Sequence, residues 1–207
     1  MNDKFWDLRK EKQDRIINAA MKIFTECGYK RASTDEIVKE AGISKGLLFH
    51  YFISKQGLYL FLYEYSIQFL EMEYVREVDE KETDLFEIQK QIEYAKRQVM
   101  KHYPYMYLFL NSAFLEENPE IQNQTADKRE HYASLVSGIY ARADLSMLKQ
   151  GLNPAHIMKM MIFTVDGLRR EQMEAGRADA DALYKEAVAM LTIMKENFCV
   201  SSEEISG

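Results

Sequence analysis

The chain has 207 residues, which is long enough for one large domain or two small ones with a hydrophobic core. Hydrophobic residues make up 47% of it and charged residues 29%, and this balance argues against intrinsic disorder. The net charge of −6 argues by itself against a nucleic-acid partner, and the abundance of helix-forming residues, with only three prolines, indicates a mostly helical chain.

The first predicted helix covers residues 14–27, where apolar side chains recur at helical spacing, and Gly28 is placed to end it. Apolar residues nearer the N-terminus allow an earlier start. A second helix of about two turns is predicted from Ser33, which forms a capping box with Glu36, and Gly42 ends this helix.

A third, short helix is predicted from its cap residue Ser44 to about Phe52. Ser54 caps a fourth, longer helix. The predicted apolar stripe of this fourth helix consists of Leu58, Phe61 or Leu62, Tyr65, Phe69 and Met72.

The remaining residues predict five more helices. The fifth follows the apolar series Leu85, Ile88, Ile92, Ala95, Val99 and Tyr103. The sixth, within "PYMYLFLNSAFLEE", is apolar nearly all round and is therefore predicted to be buried. Two Asn-Pro pairs, each a cap residue followed by a first-turn proline, open helices near 119–142 and 154–175, and the last helix covers about 179–198. The predicted fold class is all-α with about nine helices.

The second and third predicted helices together have the layout of a helix-turn-helix, in which a glycine-containing turn of three or four residues joins two short helices. The charge distribution agrees with this layout. Residues 1–57 carry a net charge of +3, and the rest of the chain carries −9. A basic head on an acidic body is typical of a small DNA-binding module joined to a second domain.

At this point the sequence resembles the TetR family of bacterial transcriptional regulators, over about residues 14–62. The matches recur at fixed spacing across three helices, which makes them more specific than one short motif. They are Ala19, Ala20, Phe24, Gly28, Tyr29, Thr34, Ile37, Ala41, Gly42, Ser44, Lys45, Gly46, Leu48, Tyr51, Phe52, Lys55 and Leu58.

The resemblance implies a homodimer with a helix-turn-helix head over residues 1–53 and an effector-binding and dimerisation body over 54–207. It implies a ligand-responsive regulator, expected to be a repressor that binds a palindromic double-stranded DNA operator and is released by a small molecule. The effector is expected to be apolar or amphipathic. The alternatives are a constitutive or architectural DNA-binding protein without an effector, and a helical enzyme.

The predicted DNA contacts combine residues suited to phosphate with residues suited to base edges. Leu47 and Phe49 replace the Thr and Tyr usual in the family, and they are suited to thymine methyl groups. The full predicted set is Thr34, Ser44, Lys45, Gly46, Leu47, Phe49, His50, Tyr51 and Lys55.

In the body, methionine and aromatic residues favour an adaptable apolar pocket, and plain core is the competing interpretation. Asp166 lies in an apolar helix and therefore needs a structural partner or a ligand. The predicted effector-binding residues are Tyr65, Phe69, Tyr94, Arg97, Met106, Phe109, Asn111, Met161 and Asp166. The last two helices are predicted to pair with those of a second copy in a four-helix dimer interface, in which the last helix contributes Leu183, Ala187, Leu191, Met194 and Phe198.

No catalytic motif supports an enzyme: the sequence has no glycine-rich phosphate loop, no nucleophile elbow and no metal-spaced His/Cys cluster. We expect no cofactor. The two cysteines, Cys27 and Cys199, suit a reducing compartment. No signal region or membrane span is predicted, so we expect a cytoplasmic protein without a membrane partner.

Overall fold

The computed structural model describes residues 3–176 and 179–200. Over these residues the chain forms nine α-helices and no β-strand, apart from one isolated bridge between Leu148 and Cys199. This confirms the predicted all-α class. The helices are α1 (Lys10–Arg31), α2 (Thr34–Ala41), α3 (Lys45–Phe52), α4 (Lys55–Glu77), α5 (Leu85–His102), α6 (Met106–Phe114), α7 (Pro119–Tyr140), α8 (Pro154–Glu174) and α9 (Ala180–Phe198).

The predicted helix starts agree with the observed caps. The Ser33 hydroxyl accepts the Asp35 N–H at 3.2 Å, the Ser44 hydroxyl accepts the Leu47 N–H at 3.2 Å, and Ser54 accepts the Gly57 N–H at 2.9 Å. In the body, Asn118, Asn153 and Asp179 accept backbone N–H groups in the first turns of α7, α8 and α9. These caps satisfy N–H groups that a helix start leaves without an intrahelical partner.

Two glycines end helices with backbone angles that other residues rarely adopt. Gly42 has φ of 64° and closes α2, and Gly28 has φ of 70° and interrupts the last part of α1. The assigned helix α1 nevertheless continues for one more turn, to Arg31. Helix α1 also starts at Lys10, four residues before residue 14, where the first predicted helix begins.

The apolar stripe predicted for α4 is partly wrong. Met72 is 60% exposed, and Phe61, Tyr65 and Phe69 are only half-buried. The buried side chains instead form a broad face, which consists of Leu58, Tyr59, Leu62, Tyr63, Ser66, Ile67, Leu70, Glu73 and Tyr74. When a helix is buried over such a wide face, its apolar residues do not recur only every three or four positions. The prediction of a single narrow stripe depended on that spacing.

The chain divides into two compact units. The first unit contains the described residues up to Met72 and Val99–Ser134, and the second contains Glu73–Gln98 and the described residues from Leu135 onward. In the first unit α1 packs against α2 and α6, and in the second α8 packs against α9. The functional division at residue 53 stays a prediction, because compactness alone does not define where a function ends.

A buried ionic cluster lies in the core of the second unit. The Glu93 carboxylate contacts the Lys96 ammonium at 2.8 Å and also contacts the Arg169 guanidinium, and both side chains of the Glu93–Arg169 pair are 1% exposed. Arg169 also pairs with Asp166 at 2.9 Å. Asp166 therefore has the structural partner that its position in an apolar helix required.

The charge state of Glu93 follows from its neighbours. Burial by itself would raise the pKa of Glu93, but the positive charges of Arg169 and Lys96 outweigh burial and lower this pKa below its usual value. The folded-state pKa then lies below the unfolded one. The resulting stabilisation is present above about pH 4 and is lost as the pH falls through the folded-state pKa.

We expect Glu93→Gln to lower the free energy of unfolding by about 3 kcal/mol or more at neutral pH, because it leaves two buried cations without their shared carboxylate. Urea denaturation at pH 7 measures this change. The control is Asp181→Asn, which removes an exposed carboxylate paired with Arg97 at 2.5 Å and should change stability by no more than about 1 kcal/mol. Equal effects of the two variants would contradict the assignment of Glu93 as the centre of the cluster.

Candidate nucleic-acid interface

The α2–α3 turn determines which side chains α3 exposes. Gly42 reverses the chain in the left-handed conformation, and the Ile43 N–H donates to the Val38 carbonyl at 3.0 Å. Leu48 and Phe52 are buried on one face of α3. On the other face Lys45, Gly46 and His50 are exposed, and Leu47 and Phe49 are half-buried. Eight residues, about two turns, are enough to cross base edges in a major groove.

Tyr51 is not exposed, contrary to the expectation for a groove-facing side chain. It is 7% exposed, and its ring centroid lies 5.7 Å from that of Phe5. Phe5, in a single-turn helix over Asp3–Phe5, is fully buried and also contacts Phe52 and Phe61 at 5.0 and 5.5 Å. Sequence reasoning did not assign Phe5 this role of supporting α3. Its only signal was the presence of apolar residues before α1.

Lys45 forms an ion pair with Asp35 at 2.9 Å, and the two side chains are 50% and 71% exposed. Exposed ion pairs contribute at most about 1 kcal/mol, so this pair does not prevent Lys45 from moving to a phosphate group. Thr34, the first residue of α2, is half-buried. The Ser44 hydroxyl is engaged as the cap of α3.

Lys55 has a structural role that the sequence did not indicate. Its ammonium donates to the carbonyls of Tyr29, Lys30 and Ala32 at 2.9, 3.3 and 3.2 Å, and it lies 4.8 Å from the centre of the Tyr29 ring. A cation at the carbonyl end of a helix is favourable, because it neutralises partial negative charge there. Lys55 thus ties the start of α4 to the end of α1, and its predicted DNA contact stays a prediction.

The predicted effector-binding residues fall into both units. In the first unit, Tyr65 and Phe69 pack against Tyr103, whereas Phe109 belongs to a separate cluster with Phe24 and Tyr59. Met106 is fully buried there, and Asn111 is half-buried.

In the second unit, the structure gives most of the predicted residues partners within the chain. Arg97 lies against the rings of Tyr94 and Tyr184 and pairs with Asp181, and Met161 is fully buried. Asp166, as described above, pairs with Arg169. A role in effector binding stays a prediction for all nine residues.

The predicted dimer stripe is partly covered within a single chain. Leu183, Ala187 and Leu191 are buried there, and Met194 and Phe198 are half-buried. A dimer interface on the last two helices stays a prediction. Among the described residues of these two helices, the exposed large apolar side chains are Met160, Phe163 and Ile193.

Within residues 3–176 and 179–200, no helix is long and apolar enough to cross a membrane. In the same part of the chain, no three His, Cys, Asp or Glu side chains are grouped so that they could hold a metal ion.

Comparison with known proteins agrees with the geometry of the head. Residues 16–61 match the sequence profile described as "Bacterial regulatory proteins, tetR family". The chain is 31% identical over 170 residues to the uncharacterized HTH-type transcriptional regulator YerO of Bacillus subtilis, and the match covers 74% of this chain and 57% of that protein. The chain thus spans only a little over half the length of the curated relatives it matches first.

Solved structures show the same fold over most of the chain. A TetR family transcriptional regulator from Chloroflexus aurantiacus has a TM-score of 0.59 at 20% identity, covering 97% of this chain and 99% of that one. FadR from Bacillus subtilis, solved in complex with stearoyl-CoA, has a TM-score of 0.54 at 19% identity, covering 86% and 96%. The chain belongs to the TetR family, with a helix-turn-helix head and a helical body.

We expect Lys55→Met to lower the free energy of unfolding by about 1–3 kcal/mol, since three carbonyl groups lose a charged donor. The control is Lys30→Met, which removes a positive charge from an exposed residue of the same region. Urea denaturation of both variants is the measurement. A loss of stability that is no larger for Lys55→Met than for the control would show that Lys55 does not hold the two helices together.

Proposed function

We propose that this protein is a DNA-binding transcriptional regulator that reads an operator with α3. The observation that carries the proposal is the exposed face of α3, which presents Lys45, Gly46 and His50 while Leu48 and Phe52 fix the opposite face in the core. Such a helix can enter a major groove. Lys45 then contacts phosphate, and Leu47 and Phe49 contact thymine methyl groups.

The regulator acts as a homodimer in this proposal. A two-turn helix contacts only a few base pairs, so one head alone gives little sequence specificity, and two heads read a palindrome. The exposed apolar side chains Met160 and Phe163 on α8 and Ile193 on α9 supply a surface for a second copy. Aromatic residues and methionine are enriched at protein interfaces.

A small effector releases the DNA in this proposal, and the protein is then a repressor. Support comes from the contacts that join α1 to helices of the body within the first unit, since they offer a route from a body site to the head. An amphipathic effector fits the aromatic clusters there, and one neighbour in fold was solved with stearoyl-CoA. Effector binding lowers DNA affinity if the effector prefers the arrangement of α1 that suits DNA less.

The proposal needs no catalytic chemistry and no cofactor, and it places the protein in the cytoplasm with DNA. A regulator of this kind works by binding equilibria alone. The chain's own contribution to specificity is then Leu47 and Phe49, the two positions at which the third helix departs from the family pattern.

We expect Leu47→Ala to relax base preference by about 1 kcal/mol at one position of each half-site, most directly at a thymine, because a methyl contact is lost. Selection of bound duplexes from random DNA by wild type and variant, followed by sequencing, measures this. His50→Ala is a useful comparison on the same exposed helix. Unchanged base preference in Leu47→Ala would remove Leu47 from the reading surface.

We expect Phe163→Glu to convert the dimer to monomers, because the charge is buried against a second copy when two chains associate. Light scattering coupled to gel filtration measures the mass. Leu115→Glu is the matched control, since Leu115 is a similarly exposed apolar residue outside α8 and α9. A stable dimer of Phe163→Glu, or dissociation by both variants alike, would contradict this interface.

A further inference from the structure

One guanidinium in the first unit carries buried nitrogen atoms for which no described residue provides an acceptor. The Nε and Nη2 atoms of Arg129, on α7, are buried, and no residue in the described part of the chain accepts a hydrogen bond from them. The Tyr63 hydroxyl, on α4, is likewise buried without a hydrogen-bond partner among the described residues. A buried donor without an acceptor is destabilising, and a charged donor is more so.

These two groups are neighbours. Burial raises the pKa of the Tyr63 hydroxyl, and a polar contact with the Arg129 guanidinium, too loose to count as a hydrogen bond, partly offsets that rise together with the positive charge of Arg129. The ring of Phe114 connects them, because its centroid lies 6.0 Å from that of Tyr63 and 5.9 Å from the central carbon of the Arg129 guanidinium. Phe114 also contacts Tyr132 at 5.6 Å. A cationic edge and a hydroxyl are therefore set among aromatic rings.

Carboxylates on the adjoining segments are engaged elsewhere. Glu64, next to Tyr63 on α4, pairs with Lys128 at 2.5 Å. Glu116, after α6, accepts the N–H groups of Tyr29 at 3.3 Å and Asn118 at 3.0 Å. These two carboxylates are therefore engaged with other partners.

The orientation of the two Arg129 atoms indicates the chemistry of a ligand. Nε–H and Nη2–H point from the same edge of the guanidinium, and this edge donates two parallel hydrogen bonds to a carboxylate or a phosphate. We propose that Arg129 and Tyr63 bind the anionic head group of an amphipathic effector, whose apolar part lies against Phe114 and Tyr132. The proposal rests on the effector response proposed above and specifies the chemistry of that effector.

The position of Tyr63 connects this site to the head. Tyr59 lies one turn earlier on α4, and its ring packs against those of Tyr29 at 5.0 Å and Phe24 at 4.9 Å. Tyr29 follows the break in α1 at Gly28, and its carbonyl is held by Lys55. A ligand that draws Arg129 and Tyr63 together acts one turn away from the residues that fix the end of α1.

The test uses the full chain and three probes of equal chain length: dodecanoate, dodecyl phosphate and dodecanol, each below its critical micelle concentration. Isothermal titration calorimetry without DNA measures their affinities. We expect one or both anionic probes to bind at least about tenfold more tightly than dodecanol, and the two anions to show whether the site prefers carboxylate or phosphate. Equal affinity for all three probes, or no binding of either anion, would overturn the proposal.

Variants separate this site from the general charge of the surface. Arg129→Gln should lose about tenfold or more in affinity for the preferred anion and leave dodecanol binding unchanged. Tyr63→Phe should lose severalfold. Lys128→Gln, which removes the neighbouring exposed positive charge, should change neither affinity by more than about twofold. Wild-type affinity of Arg129→Gln for the anion would overturn the assignment.

Stability without ligand gives a second criterion, which a purely structural Arg129 would not meet. Removing a buried charge that lacks an acceptor should leave the thermal midpoint of Arg129→Gln equal to or above that of wild type. A clear fall of the midpoint would assign Arg129 to the fold instead. If the wild-type chain binds the anion and its affinity for DNA does not fall, the proposed effector response is contradicted. The anion site itself would then still stand.

Discussion

The hydroxyl of Tyr103 is the contact on which the attachment of the head depends. It donates to the Asp14 carboxylate at 2.5 Å, accepts the Lys10 ammonium at 2.8 Å, and lies 2.8 Å from the hydroxyl of Tyr65. Burial and the adjacent carboxylate of Asp14 raise the pKa of Tyr103 well above its usual value, so this hydroxyl keeps its proton at any physiological pH. The start of α1 is thereby joined to α4 and to the segment after α5 by side chains that are partly shielded from water.

The end of α1 is held as well, by different chemistry. Lys55 donates to three of its last carbonyls, and Glu116 accepts the Tyr29 N–H. Because α2 and α3 follow directly from this end, their position relative to α4 depends on these contacts and on the packing of Phe5 and Phe52 against Phe61. Within the first unit, an event that displaces α4 or the segment after α6 is expected to displace the head helices too. This is the physical basis of the proposed response to an effector, and Tyr63 of the proposed anion site lies on α4.

Much of this fold could be predicted from local patterns, since caps and helical spacing are properties of neighbouring residues. Ser44, Ser54, Asn153 and Gly42 cap or end helices where the sequence indicated, and the apolar series of α5 is buried as expected. Contacts between distant segments could not be predicted in this way. The support of α3 by Phe5, the three carbonyl partners of Lys55 and the pairing of Glu93 with Arg169 all join residues whose proximity no spacing encodes. The burial of Leu183, Ala187 and Leu191 of α9 within one chain could not be predicted for the same reason.

The central claim is that the two heads of a dimer read one DNA site together. A titration of the full chain over a series of salt concentrations tests this claim most directly. The chain is titrated onto the palindrome recovered by selection, onto a duplex with one half-site intact, and onto a scrambled duplex. The account predicts that the palindrome binds far more tightly than the other two, with half-sites about one helical turn apart, and that the logarithm of each affinity falls linearly with the logarithm of salt concentration. Equal affinity for the three duplexes at every salt concentration, from a chain that remains folded and dimeric, would contradict it.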